Sequence, residues 1–569
     1  MQKLKSEICE ILKKKLDGMN TEHGLTVSDI EDIIETPPDP AMGDFAFPCF
    51  RLSRILRKAP AQIAKELEEG LSVRGISKAE SSGPYLNLFV DSSYLPEIVD
   101  SIVSLGEKYG SADIGHGGNV VLDYSSPNVA KPFHIGHLGT TVIGHSLKKI
   151  HSFVGYNCIG VNHLGDWGTQ FGKLIVACRR WGSEKEIEKG GIDKLVELYV
   201  RFHKEADSDP SLEDAARAEF AKLEQGDPDN TAMWRWFIKI SIEEYKKTYR
   251  MLGIEFDSYN GESFYTDKMP AVVDELREKG LLKIDDGASI VDLSEYSLPP
   301  CLILKKDGSS LYPTRDIAAA LYRNRTYSFE KCIYVTSAQQ ILHFQQWFKV
   351  VELMGYDFAK KLVHVPYGTV SINGAKLATR TGNVVLLRDL FSLAVEKVKS
   401  IMEAKNPDLP DRDEVAEKIG VSAIVFHYLM NTRSHDINFV LDDALDFDGN
   451  SGPYAQYTYA RACSIIEKAG DPSSERGGNV TSPLESDLIK VLSEFPDKVL
   501  IALREYEPSV IVRYILDVCY AFNRMYHECR ILNAENSDVR DFRVKLTRAV
   551  KTVLGNAFDL VCISKTEKI

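Results

Sequence analysis

Residues 125–137 read Ser-Ser-Pro-Asn-Val-Ala-Lys-Pro-Phe-His-Ile-Gly-His and directly follow the apolar run Val120–Leu122. This pattern predicts a strand, a sharp turn and the start of a helix that carries His134 and His137 around Gly136. A helix start offers backbone N–H groups and the positive end of its dipole to an anion such as a phosphate. The two imidazoles can each give a hydrogen bond, and a glycine lets a base or a phosphate approach the backbone. The stretch therefore predicts a cradle for nucleotide phosphates.

A His-x-Gly-His tetrapeptide on its own also arises by chance, and such histidines are often surface residues at a helix cap. Here four further blocks of chemically distinctive sequence accompany it. They are Asn162–Gly172, Tyr312–Arg323, the pair Gln340 and His343, and Lys376–Asn383. Their presence in one chain favours a functional site.

Together these blocks closely resemble the class I arginyl-tRNA synthetases, and the resemblance runs through nearly the whole chain. Residues 134–137 match the HIGH signature of the family, and residues 376–380 stand where the second signature, KMSKS, belongs. The combination Asn-His-x-Gly-Asp-Trp-Gly with Tyr-x-Thr-Arg-Asp is far more specific to the arginine enzymes than HIGH alone. The resemblance implies that the chain activates L-arginine with ATP, releases pyrophosphate and transfers arginine to the 3′ end of its cognate tRNA.

The composition of the 569-residue chain is that of a globular protein of two to four domains, with 44% apolar and 27% charged residues. We find neither an apolar stretch long enough for a membrane span nor a signal or typical transit peptide, so we expect a cytoplasmic protein. Ten cysteines without a C-x-x-C pair fit reduced thiols better than a zinc site or disulfides. The net charge of −13 points away from a nucleic-acid partner, although one basic surface is enough to bind tRNA.

Alternating strand-like and helical patterns from about 115 to 395 predict an α/β fold with a Rossmann-type parallel sheet. The clearest strand-like runs are Val120–Asp123, Ile159–Asn162, Cys332–Val335 and Leu362–Val365. We predict an N-terminal α/β domain over 1–112, a catalytic domain over 113–409 with an insertion at about 185–300, and an all-helical domain over 410–569. The resemblance implies that the first domain contacts the D-loop corner of the tRNA and that the last binds the anticodon. A chain ending near Leu409 is expected to keep a folded nucleotide-binding domain.

The first implied step is attack of the arginine carboxylate on the α-phosphate of ATP, which depends on positioning and on charge neutralisation. The resemblance assigns this catalysis to Lys131, His134, Gly136, His137, Lys376 and Arg380. Thr379 replaces a lysine of the full second signature, and in the arginine enzymes the lysine at position 131 is thought to supply the missing charge. Without the resemblance, a solvated residue in a turn is an equally good interpretation of Lys131. Gly139 stands where many relatives carry an arginine.

A pocket for a guanidinium needs acceptors and at least one carboxylate, because that group has five hydrogen-bond donors and no acceptor. The resemblance assigns arginine binding to Asp123, Asn128, Tyr312, Asp316 and Gln340. Many relatives have Glu at position 123, which leaves the reach of Asp123 open. In isolation, Asp316 fits better as a surface partner of Arg315 or Arg323, and Gln340 fits better as a solvated side chain.

Further residues are assigned by the resemblance to ATP and to the tRNA. For ATP they are His134, Gly136, His137, Gly165, Asp166, His343 and Lys376. For the tRNA they are Tyr454, Gln456, Tyr459, Arg461, Asn523 and Tyr526, whose side chains suit stacking and edge readout of unpaired bases. Several of these aromatics fit an ordinary helix-bundle core as well. We expect Mg²⁺ to enter with ATP, no permanently bound metal, and a monomer.

Two other classes of function stay open at the level of sequence. One is another adenylylating enzyme on the same scaffold, such as a cysteinyl or glutamyl synthetase or a small nucleotidyltransferase. A cysteinyl enzyme should carry a Cys/His zinc cluster near the HIGH segment, and a small nucleotidyltransferase would not need the C-terminal third. The other class is a non-catalytic tRNA-binding paralogue, which the intact histidines, Gly136 and Lys376 disfavour.

Overall fold

The structure is a computed structural model that describes residues 1–19, 23–372, 375–376, 385–405, 409–470 and 478–569. Its N-terminal part is a small α/β unit in which strands β1, β3 and β2 form an antiparallel sheet in that order. The first helix packs on this unit because Leu4, Ile8, Leu12 and Leu16 recur at helical spacing and are fully buried. The elements are α1 (Gln2–Gly18), α2 (Val27–Ile33), β1 (Phe45–Pro48), α3 (Ser53–Leu56), α4 (Pro60–Glu68), β2 (Ile76–Ser82), β3 (Tyr85–Val90) and α5 (Leu95–Leu105).

A parallel sheet in the order β10-β9-β4-β5 forms the centre of the molecule and confirms the predicted α/β fold. Its strands are apolar because helices cover the sheet. Their carboxyl ends, where ligands bind in such sheets, lie at Asp123, Val161, Ser337 and Tyr367. The strands and their connecting helices are β4 (Asn119–Asp123), α6 (Gly136–Phe153), β5 (Asn157–Val161), α12 (Tyr312–Tyr327), β9 (Lys331–Ser337), α13 (Ile341–Leu353) and β10 (Leu362–Tyr367).

The long connection between β5 and β9 contains a helical layer and a second, antiparallel sheet, in the order β6-β7-β8. The insertion predicted at about 185–300 falls within this connection. Its elements are α7 (Gln170–Trp181), α8 (Glu184–Ala206), α9 (Ser211–Glu224), α10 (Pro228–Met251), α11 (Met269–Glu278), β6 (Leu282–Asp285), β7 (Ala288–Val291) and β8 (Cys301–Leu304).

After β10 the chain forms a small sheet in which β11 (Val370–Ile372) pairs antiparallel with β12 (Ala375–Lys376) and parallel with β13 (Ile437–Phe439). β13 lies within the range predicted to be all helical, and that part of the prediction is wrong. Three residues are too few for a periodic pattern, although Ile437 and Phe439 are buried and alternate with an exposed Asn438, as a strand requires.

The remaining elements are helices that end in a C-terminal bundle. They are α14 (Leu387–Lys405), α15 (Arg412–Leu429), α16 (Leu441–Ala444), α17 (Gly452–Ala469), α18 (Pro483–Ser493), α19 (Phe495–Glu505), α20 (Ser509–Glu528) and α21 (Ser537–Leu560). None of the helices in the described ranges is long and apolar enough to cross a membrane.

The bundle and the parallel sheet share one continuous apolar core, which runs from β4 and α6 into α15, α20 and α21. The ring of Phe495 lies 6.2 Å from that of Phe153 at the end of α6. Removal of residues 410–569 would expose this core to water and would also remove β13. The expectation that a chain ending near Leu409 stays folded therefore has to be withdrawn.

One contact in this core is very close. A Cβ at Gly139, in the first turn of α6, would collide with the hydroxyl of Tyr428 on α15 and would lie 3.2 Å from the ring of Tyr367. The space that the Cβ of any larger residue would need at position 139 is thus taken up by two aromatic side chains.

Candidate active site

The turn after β4 is held in a strained backbone conformation. Ser125, Ser126 and Ala130 have φ values of 70°, 47° and 58°, a left-handed region that residues with a Cβ seldom adopt. The hydroxyl of Tyr249 lies 2.7 Å from Oγ of Ser125 and accepts a hydrogen bond of 2.9 Å from Nδ2 of Asn162. The turns after β4 and β5 are therefore fixed to one another, and such stored strain is typical of ligand sites.

His134 and His137 lie side by side at the start of α6, with ring centroids 3.9 Å apart. Nδ1 of His134 accepts a hydrogen bond from the backbone N–H of Gly136, and Nδ1 of His137 accepts one from the N–H of His134. Burial, followed by the neighbouring His134, lowers the pKa of His137 to about 3, and burial also lowers the pKa of His134. Both rings are thus neutral near pH 7 with the proton on Nε2, which makes each a donor toward an anion.

The sequence predicts that the backbone N–H groups at the start of α6 bind an anion, and the structure differs from that expectation. The N–H groups of Gly136, His137 and Leu138 already have acceptors within the turn, so they are not free for a phosphate. A Cβ at Gly136 would lie 2.8 Å from Cε1 of His134, so the glycine makes room for that imidazole and not for a base. The donors left for an anion are the Nε2–H groups of the two histidines.

The segment that follows the second signature reaches these histidines directly. Val385 O accepts a hydrogen bond from Ile135 N, and Leu387 N donates to Phe133 O. Lys376 lies in β12, where only its backbone is described, and Arg380 lies outside the described residues. The described segment from Val385 onward therefore lies against the histidine turn.

Lys131 is exposed on the turn before the histidines, and no carboxylate of the described residues pairs with its ammonium group. Partial desolvation lowers the pKa of Lys131, and its charge in turn helps to lower the pKa of His134. The Tyr245 hydroxyl holds the turn by contacts of 2.7 and 2.8 Å to the carbonyl oxygens of Asn128 and Lys131. An uncompensated cation thus lies beside the histidine pair.

The two residues next to β4 that are assigned to arginine binding differ in whether their side chains are free to contact a substrate. The carboxylate of Asp123 is buried, with Oδ2 2.7 Å from Nη2 of Arg323, so it already has a cationic partner. Asn128 is exposed, and its side chain fills the space where Gly165 has no Cβ. Gly165 therefore allows the turns after β4 and β5 to approach.

The side chains on α12 and α13 form the other side of the site. Oδ2 of Asp316 lies 2.6 Å from Nε2 of His343. In this structure the imidazole of His343 therefore contacts Asp316, and the same nitrogen is not free for a nucleotide. Tyr312 is 66% exposed at the start of α12, and Gln340 is exposed at the start of α13. The alternative pairing of Asp316 with Arg315 or Arg323 does not occur, because Arg315 pairs with Glu262 at 3.0 Å and Arg323 pairs with Asp123.

Sequence reasoning missed Glu262, which lies in the connection between β5 and β9 without any recognisable motif. Burial raises the pKa of Glu262 to about 7, although the Arg315 guanidinium opposes this rise. Asp166 is also buried, and its two oxygens accept hydrogen bonds of 2.8 and 2.6 Å from N and Oγ of Ser263. Asp166 therefore supports the pocket wall in this conformation instead of facing a nucleotide. Glu262, Asp166 and Asp316 form an acidic cluster.

The residues assigned to the tRNA divide into a buried and an exposed group. Gln456, Tyr459 and Asn523 are buried, and the amides of Gln456 and Asn523 bond to other bundle residues, so their assignment as direct contacts needs correction. Arg461 lies between the rings of Tyr457 and Tyr526, at 4.8 and 5.0 Å from their centroids. These three residues line a cavity of about 530 Å³, whereas Tyr454 is half-buried beside it.

Comparison with known families covers almost the entire chain. Models described as Arginyl tRNA synthetase N terminal domain, tRNA synthetases class I (R), catalytic domain, and DALR anticodon binding domain match residues 2–90, 98–441 and 455–569. The arginine–tRNA ligase of Alkaliphilus metalliredigens is 48% identical over 573 residues, which cover 100% of both chains. That of Clostridium botulinum (strain 657 / Type Ba4) is 50% identical over 552 residues, 97% of this chain and 98% of the relative.

Solved structures show the same fold at lower identity. Arginyl-tRNA synthetase of Thermus thermophilus superposes with a TM-score of 0.80 at 23% identity, over 94% of this chain and 96% of that one. The enzyme of Plasmodium falciparum gives a TM-score of 0.81 at 24% identity, over 99% and 98% of the two chains. From its matched domains and full-length relatives, the chain belongs to the arginyl-tRNA synthetase family.

Proposed function

We propose that this protein is an arginine–tRNA ligase that activates L-arginine with ATP and then transfers the arginine to the 3′ end of its cognate tRNA. The observation that carries the choice of amino acid is the acidic cluster of Asp166, Glu262 and Asp316, in which Glu262 pairs with Arg315 and Asp316 pairs with His343. A planar cation with five donors is the ligand that such a set of acceptors fits. Lysine lacks this planar fork of donors.

The two imidazoles and Lys131 support the proposed ATP site. Two Nε2–H donors and an unpaired ammonium group can hold a triphosphate and balance the charge that develops on pyrophosphate as it leaves. Lys376 and Arg380 are proposed to approach from the other side, because the segment after them is hydrogen-bonded to the histidine turn. Mg²⁺ is proposed to enter with ATP, because this ion is commonly held by substrate phosphates and water together with few protein ligands.

An exchange assay tests the function directly. Labelled pyrophosphate should enter ATP with arginine and with none of the other standard amino acids, when a transcript of the arginine tRNA is present. Exchange driven by a different amino acid would contradict the proposal, and tRNA binding without any exchange or charging would favour a non-catalytic paralogue.

We expect this exchange to require tRNA. Position 379 lacks the lysine of the full second signature, and α6 shares its core with the bundle to which a tRNA would bind. A bound tRNA can therefore influence the helix that carries the histidines. Omission of tRNA should abolish exchange with arginine, and an unchanged rate in its absence would contradict this expectation.

The cavity between α17 and α20 is proposed to receive unpaired bases of the anticodon loop. Replacing Tyr526 by Ala removes one ring from a position beside Arg461 where a base can stack, and stacking of this kind contributes about 1–3 kcal/mol. We expect the KM for tRNA to rise roughly tenfold with little change in the KM for arginine. Tyr296→Ala, an exposed tyrosine of the insertion, is the matched control. Equal charging of anticodon-swapped transcripts by the unaltered protein would refute anticodon recognition.

The domain bounds of 1–112, 113–409 and 410–569 stay a prediction, as do the cytoplasmic location and the monomeric state. Sedimentation of the full chain, with and without tRNA, would determine the oligomeric state.

A further inference from the structure

Arg323 is a fully buried cation in the centre of the molecule. It lies on α12 two helical turns after Asp316, and its side chain is 1% exposed. A guanidinium keeps its charge in proteins, so its burial requires a counter-ion and hydrogen-bond acceptors. Nη2 of Arg323 lies 2.7 Å from Oδ2 of Asp123 and 3.2 Å from Nδ1 of His163. The Nε and Nη1 atoms have no hydrogen-bond partner in the described ranges. The polar contacts of this guanidinium are therefore those of Nη2.

These contacts close a ring of hydrogen bonds that joins three segments. Oδ1 of Asp123 accepts from the Ser126 hydroxyl at 2.9 Å, and the same Oγ accepts from the backbone N–H of His163 at 3.2 Å. Nη2 of Arg323 completes the ring, because it donates both to Nδ1 of His163 and to Oδ2 of Asp123. Asp123 ends β4, His163 follows β5 and Arg323 belongs to α12, so one guanidinium nitrogen joins all three.

The ring also determines the state of His163. Because a guanidinium can only donate, Nδ1 of His163 must accept, which leaves the proton of the neutral imidazole on Nε2. Burial lowers the pKa of His163, which favours the neutral ring. Its ring stacks on that of Tyr265 at 5.3 Å with an interplanar angle of 14°. Both the tautomer and the orientation of this imidazole therefore depend on Arg323.

Two of the three segments that Arg323 joins carry residues assigned to the amino acid. The turn after β4 bears Asp123 and Asn128, and α12 bears Tyr312 and Asp316. We propose that Arg323 is a positioning residue for arginine activation, which holds Asp123 and His163 in register with the guanidinium pocket on its own helix. This inference rests on the proposed function, because it concerns the site at which arginine would bind. Lysine is a poor replacement for Arg323, since its flexible chain ends one bond short of the position of Nη2 and lacks the planar group that holds that nitrogen between the two acceptors.

The first test compares Arg323→Lys with Arg325→Lys, which changes an exposed arginine on the same helix. Arg323→Lys keeps a cation for Asp123 but loses the fixed contact to His163. We expect kcat/KM for arginine to fall about 10²-fold, mainly through the KM for arginine, because small displacements of a substrate site have effects of this size. The KM for ATP and the melting temperature should change little, and Arg325→Lys should behave as the unaltered protein.

The second test observes His163 without relying on activity. In protein labelled with ¹⁵N-histidine, a spectrum of His163→Gln identifies the signals of this residue. The unaltered protein should show one tautomer with the proton on Nε2, and Arg323→Met, which removes the donor, should show a mixture of tautomers. If Arg323→Met does not fold, the same spectrum of Arg323→Lys decides the question.

An unchanged KM for arginine in Arg323→Lys would overturn the proposal. The proposal would also be overturned if the KM values for arginine, ATP and tRNA rose by the same factor, the melting temperature fell and the His163 signals stayed unchanged. That pattern is expected of an ion pair with a purely structural role. If the unaltered protein activates an amino acid other than arginine, the proposed function fails. The role of Arg323 would still be tested by the tautomer of His163. It would also be tested by comparing kcat/KM for that amino acid between Arg323→Lys and Arg325→Lys.

Discussion

Replacing Lys131 by Ala is expected to slow formation of the arginyl-adenylate by about 10²–10³-fold, the usual effect of removing one donor to transition-state charge. Lys131 is exposed, pairs with no carboxylate of the described residues and lies close enough to His134 to lower its pKa. Its charge is therefore available to phosphate oxygens, and it is needed most as pyrophosphate leaves. Single-turnover measurement of adenylate formation with bound tRNA gives the rate directly.

Arginine binding to this variant should be close to normal, because the proposed partner of Lys131 is a phosphate. Lys189→Ala, which removes an exposed lysine on α8, is the control for loss of a surface charge. An unchanged single-turnover rate in the Lys131 variant would mean that this side chain is a solvated turn residue, as its sequence environment alone allows.

Replacing Asp316 by Asn is expected to raise the KM for arginine by about 10²-fold, within the range found when one member of a desolvated charge pair is truncated. The amide keeps the size of the carboxylate and can still contact His343, but it no longer neutralises a guanidinium. Glu262 and Asp166 keep some negative charge in the pocket, so binding should weaken but persist. Steady-state charging at varied arginine and fixed tRNA measures this change.

The KM for ATP provides the internal comparison, since Asp316 contacts His343 and not the histidine pair of α6. Asp307→Asn, in the exposed turn between β8 and α12, controls for the loss of a charge near this helix. Equal weakening of arginine and ATP would show that Asp316 supports the structure of the pocket, and its assignment to the substrate would then be wrong.

The parts of the fold that the sequence predicts well are those encoded in local periodicity. The strands at Asn119–Asp123 and Lys331–Ser337 are apolar runs bounded by polar turns, and α12 begins at Tyr312 with Pro313 in its first turn, as its sequence suggests. Such signals need only neighbouring residues. The three-residue β13 carries too little of this signal and owes its existence to pairing with β11.

The candidate site is harder to predict because its properties depend on partners far away in sequence. The family resemblance assigns Asp123 to arginine binding, yet its pairing with Arg323 follows only from the packing of α12 beside β4. Glu262 has no motif and becomes notable only through its burial. Gln456 and Asn523 are polar and suggested an RNA surface, but in a bundle such side chains can satisfy one another across helices.

The contact between Gly139 and Tyr428 bears on how sequences of this kind diverge. A Cβ at position 139 would collide with the Tyr428 hydroxyl, so a larger residue there requires the Tyr428 ring to turn, α15 to move or position 428 to become smaller. We therefore expect a change from glycine to arginine at position 139 to require a compensating change at position 428 or in the packing of α15. The two positions are expected to vary together, and a library that varies position 139 alone would recover few active proteins.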